Sequence, residues 1–73
     1  MMVRYFQDRD DECIIVKVVD EGKKTDVTVW SYVEEGWIHH EIADEVFIDV
    51  YNRRELSREE AEEEIRYYSE GEE

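Results

Sequence analysis

Through the middle of the chain, runs rich in Val, Ile, Thr, Trp and Tyr are separated by short polar breaks that share the dipeptide Glu-Gly. Cys13-Ile-Ile-Val-Lys-Val-Val19 and Thr25-Asp-Val-Thr-Val-Trp-Ser-Tyr-Val33 are followed by a short return through Ile38-His39-His40, and Asp20-Glu-Gly-Lys23 and Glu34-Glu-Gly-Trp37 interrupt these runs. β-Branched and aromatic runs punctuated at this spacing predict an antiparallel meander.

Because successive side chains on a strand point to opposite faces, a register can be assigned as well. A two-residue turn at Glu21-Gly22 sets Asp20 opposite Lys23, Val18 opposite Thr25, Val16 opposite Val27, Ile14 opposite Val29 and Lys17 opposite Asp26. The same turn at Glu35-Gly36 sets Val33 opposite Ile38, Glu34 opposite Trp37 and Tyr32 opposite His39. One face is then aliphatic. The other gathers Trp30, Tyr32, Trp37 and His39 into an aromatic patch beside Ile15 and Val19.

The flanking segments complete the domain. Met2 to Gln7 alternates as a first strand, with Asp8 to Glu12 as the connecting turn. Residues 41–52 read as a turn of helix or loop through Asp44 and Glu45, then a short strand from Phe47 to Tyr51, and Asn52 to Glu55 reads as a turn. Ser57 followed by Glu60 is a capping box, with Leu56 and Ala61 in the staple positions, so a helix is expected to start at Arg58. Within it Glu62 precedes Arg66 by four residues in the favourable order. Leu56, Ala61, Ile65 and Tyr68 form an apolar stripe expected to lie on the aliphatic face. Glu70, Glu72 and Glu73 sit where the helix dipole disfavours anions, which predicts fraying after Tyr68.

The fold expected is therefore α+β: an antiparallel meander of three to five strands with one C-terminal helix packed on one face. Residues 1–69 form a single domain and 70–73 a disordered acidic tail. A chain of 73 residues buries only a thin core, which disfavours a large enclosed cavity and places any ligand on a face or groove.

Charge narrows the partners. Twenty-two acidic and nine basic side chains give a formal net charge of −13, which opposes binding to nucleic acid or to an anionic membrane, where Lys and Arg must displace counterions. About half of that excess lies between Glu55 and Glu73. The single cysteine leaves no internal disulfide, and no apolar run approaches a membrane span. A cytoplasmic protein is expected.

Catalytic chemistry finds little footing. His39 and His40 are adjacent on a strand and point to opposite faces, so they do not share a metal. The acidic run from Asp8 to Glu12 lacks the length and the glycine of a calcium loop. Ser57 is used as a cap, and no glycine-rich phosphate loop exists. The chain is accordingly read as a non-enzymatic protein with no cofactor and no metal, a monomer or homodimer. Its function is read as an interaction module for a basic protein partner, and in its sharpest form as an inhibitor imitating nucleic acid. The residues expected to carry this are Trp30, Tyr32 and Trp37, which are typical rigid anchors, with Glu59, Glu62, Glu63 and Glu70 standing in for phosphates. The competing reading is a divalent-cation-binding domain using Asp8, Asp10, Asp11 or His39, or a self-associating structural domain whose acidity serves solubility.

Overall fold

The computed structural model of the protein describes residues 1–71. Among them, five strands and two helices follow one another as β1 (Met2–Asp8), β2 (Ile15–Asp20), β3 (Thr25–Ser31), β4 (Gly36–Ile38), α1 (Glu41–Ile48), β5 (Arg53–Leu56) and α2 (Arg58–Glu70). The strands make one sheet in the order β4-β3-β2-β1-β5, antiparallel at every step. The expected α+β class holds, with a helix on each face of the sheet.

The division of side chains between the two faces follows the period of two, but the pairs themselves are displaced. Val16 faces Val29, Val18 faces Val27 and Val19 faces Asp26, two residues from the expected register. The connection is a four-residue loop closed by Glu21 N–H to the Lys24 carbonyl at 2.9 Å, with Gly22 at φ +92° and its N–H held by Asp20 Oδ1 at 2.8 Å. The next hairpin is displaced by four. Val29 faces Ile38 and Trp30 faces Trp37, because β3 ends at Ser31, whose hydroxyl accepts Glu34 N–H at 3.1 Å and starts the turn there. Val33 therefore leaves the expected aliphatic face and stands 93 % exposed. Both displacements are even, so every remaining strand residue keeps its face.

Phe6, Val16, Val18 and Val29 form the aliphatic face, and Ala43 and Val46 of α1 pack onto it. This corrects the strand expected from Phe47 to Tyr51. Ile42, Ala43, Val46 and Phe47 fall on one side of a helix, and burying that side outweighs the β-branched character of the segment. His40 caps the helix, its Nδ1 accepting Ile42 N–H at 3.1 Å. The segment also has to carry the chain from the β4 edge to the opposite edge of the sheet, which a helix laid across the face does in one pass. The turn expected from Asn52 to Glu55 is instead largely strand: Arg53 to Leu56 pairs with the end of β1. Arg53 seals this corner, donating to the Phe47 carbonyl with its guanidinium carbon 4.1 Å from the Phe6 ring centre.

α2 starts as its sequence predicts. Ser57 Oγ accepts Glu60 N–H at 3.1 Å, and Glu60 Oε1 accepts Ser57 N–H at 2.9 Å. The helix runs through Glu70, beyond the point where fraying was expected, and Gly71 N–H closes on the Tyr67 carbonyl at 2.8 Å. The rest of the expected tail, residues 72–73, lies outside the described residues. The face it covers differs from the expectation: Ala61 and Ile65 pack with Ile15, Leu56, Tyr5 and Trp37, on the aromatic side. Leu56 is the cause. It pairs with Tyr5 and so points to the Tyr5 face, and the helix that begins two residues later is delivered to that face.

Candidate functional site: a groove under the C-terminal helix

The expected aromatic patch is half covered. Trp30 and Trp37 are directly paired across β3 and β4, with ring centres 5.3 Å apart and planes at 76°, so that the electropositive edge of one ring meets the electron-rich face of the other. Tyr5 extends the cluster from β1, its ring centre 5.9 Å from that of Trp37. Lys17, paired with Tyr5, sets its ammonium 5.4 Å from the Trp37 ring centre. Trp30 Nε1 is buried without a hydrogen-bond partner among the described residues.

α2 forms the second wall. Between it and the aromatic side chains lies a groove of 390 Å³, flanked on the helix by Arg58, Ala61, Glu62, Ile65 and Arg66. Arg58, Glu62 and Arg66 are spaced four residues apart and so share one side of the helix. Arg58 Nε donates to Glu62 Oε2 at 3.4 Å, so Glu62 pairs backward along the helix rather than forward to Arg66 as expected. The groove thus brings together Lys17, Arg58 and Arg66 against one carboxylate, in a chain whose net charge is −13.

The residues singled out from sequence separate into three places. Trp30, Trp37 and Glu62 line the groove. Tyr32 does not join them: it lies in the turn after β3, and its hydroxyl donates to the Cys13 carbonyl at 2.7 Å. Glu59, Glu63 and Glu70 are exposed, and at about 100° per residue they fall within about 40° of one another on the side of α2 opposite Ala61. Tyr5, Lys17, Arg58 and Arg66 were not anticipated as site residues. The spacing of Arg58, Glu62 and Arg66 was visible in the sequence, but only the packing of α2 on the aromatic face brings them to Trp37.

His39 and His40 follow the end of β4 at Ile38 rather than lying on a strand, and they make separate contacts. His39 Nε2 lies 2.6 Å from Asp26 Oδ1, and that hydrogen bond holds the Asp26 carboxyl below its ordinary value, while His40 is the cap of α1. Asp8 and Asp10 both accept from Asn52 Nδ2, at 3.3 and 2.7 Å, and tie the β1 loop to the start of β5. Among the described residues no group of three or more His, Cys, Asp or Glu side chains is arranged to hold a metal ion, and no helix is long and apolar enough to cross a membrane. Compared with known proteins, the chain matches no family model, no curated protein and no solved structure.

Proposed function

We propose that the protein is a non-enzymatic interaction module that binds a basic protein through the outward side of α2. The observation that carries this reading is the row formed by Glu59, Glu63 and Glu70, opposite the buried side of the helix and outside every ion pair among the described residues. Three carboxylates on one helical face, with Arg66 the cation between Glu63 and Glu70 but paired with neither, offer a basic partner charge without a prior ion pair to break.

The spacing of that row supports the sharper form, imitation of nucleic acid. At about 1.5 Å rise per residue, Glu59 and Glu63 stand about 6 Å apart along the axis, and Glu63 and Glu70 about 10.5 Å. Two and three nucleotide steps of one DNA strand advance about 6.8 and 10.2 Å. Trp30 and Trp37 belong to a different surface in this reading, because Lys17 and Arg58 beside them repel a basic segment.

The test is a pull-down from source-organism lysate with the wild-type protein and with a Glu59→Gln/Glu63→Gln/Glu70→Gln variant, at low and at physiological salt. A stoichiometric basic protein retained by the wild type, weakened by salt and lost with the variant, supports the reading. Retention of the same protein by the triple variant at physiological salt overturns it.

A further inference from the structure

We infer that the groove between α2 and the aromatic face is a second binding site, for a small aromatic carboxylate, and this inference does not rest on the basic-partner reading. Its walls are chemically matched to such a ligand. Trp30, Trp37 and Tyr5 supply flat apolar surface, and 390 Å³ lies within the range of about 300–1,000 Å³ usual for small-molecule sites.

The charge at its mouth selects an anion. Arg58 is occupied by Glu62 and Lys17 lies over Trp37, whereas Arg66 is in no ion pair or hydrogen bond among the described residues. Its planar guanidinium presents the fork of donors that a carboxylate accepts in pairs. The acidity of the remaining surface does not cancel this attraction. At physiological salt charges beyond about 8 Å are largely screened, so a ligand inside the groove responds chiefly to Lys17, Arg58, Glu62 and Arg66, with Glu63 and Glu70, three residues before and four after Arg66 on α2, the nearest further carboxylates.

A small ligand fits these facts better than a macromolecule. A nucleic-acid strand long enough to leave the groove would run along the carboxylates of Glu59 and Glu63, and an arginine side chain from a basic protein would meet three cations at the entrance. A second copy of the chain would bring its own net charge of −13 against this one.

Naphthoate, with naphthalene methanol as its neutral counterpart, is the probe. Both tryptophans of the chain line the groove, so binding is read from intrinsic fluorescence, and its location from amide shifts in β3, β4 and α2. The expected result is saturable binding of naphthoate, at least about tenfold tighter than the neutral probe and weakened about tenfold by Arg66→Gln. Asp44→Asn, on α1 over the opposite face of the sheet, leaves it unchanged. Equal binding of the two probes, shifts confined to other elements, absence of saturable binding, or occupation of the groove by a second copy in sedimentation and shift measurements each overturns the inference.

Discussion

Gln7 donates from Nε2 to Glu64 Oε1 at 2.7 Å, joining the central part of the sheet to α2 through a side chain that is only 2 % exposed. The same amide nitrogen donates to the Glu12 carbonyl at 2.8 Å, and Gln7 Oε1 accepts from Arg54 at 2.9 Å. Both donors and the acceptor of a buried amide are therefore satisfied, which avoids the cost of leaving such a group without partners. The network also ties α2 to β1 beside the groove, where Glu64 precedes Ile65, which packs in the same cluster as Tyr5 and Trp37.

Removing this tie should loosen the helix. Gln7→Ala is expected to lower stability by about 2 kcal/mol, since a hydrogen bond to a charged group and the packing of a buried side chain are lost together. In a double-mutant cycle with Glu64→Ala, read by urea denaturation, the expected coupling is about 1 kcal/mol. Additive single effects would show that the bond contributes no net stability.

The capping box makes α2 sensitive to acid in a defined direction. Hydrogen bonds from the Ser57 backbone and then from its side chain lower the pKa of Glu60, and the hydrogen bond from Arg4 lowers that of Glu55. A carboxyl whose folded pKa lies below its unfolded value stabilises the fold fully above the unfolded value, and that contribution is lost as the pH falls through the folded one. The difference in melting temperature between wild type and Glu60→Gln should therefore be full at neutral pH and shrink as the pH falls below the ordinary carboxylate range of about 4. A difference that grows on acidification would refute the assignment. Ser57→Ala, which removes the other half of the box, should cost about 1 kcal/mol at neutral pH.

Each helix meets the sheet through an alanine with no exposed surface, Ala43 in α1 and Ala61 in α2. Enlarging either side chain forces the helix off its face, and Ala43→Leu or Ala61→Leu should each destabilise the protein by about 2 kcal/mol in denaturant titrations. Only Ala61→Leu should also perturb tryptophan fluorescence, because only α2 lies over Trp30 and Trp37. Val33→Ala, at a position 93 % exposed, should stay within about 0.5 kcal/mol of wild type.

The features legible in the sequence are those set by neighbours in the chain. Which strand residues share a face follows from alternation alone, so Val16, Val18, Val27 and Val29 could be grouped without knowing their partners. The start of α2 was equally plain, since the Ser57 and Glu60 bonds are complete within four residues. Trp30 and Trp37 could be placed together on the aromatic side, but the cations that share their groove could not be placed with them.

Offsets and faces were decided by tertiary structure. Loop length fixes the register of a hairpin, and the choice between a two-residue and a four-residue loop lies in hydrogen bonds such as Asp20 to Gly22 and Ser31 to Glu34, which compete with further pairing by small energies. The residues from Phe47 to Tyr51 prefer strand locally, yet burial of Ala43 and Val46 against Val16 and Val29 makes helix of the segment through Ile48. Nothing local states which face receives α2. The pairing of Leu56 with Tyr5 decides it, and with it decides that Lys17, Arg58 and Arg66 meet the two tryptophans: a contact between distant parts of the chain has no signature in either part alone.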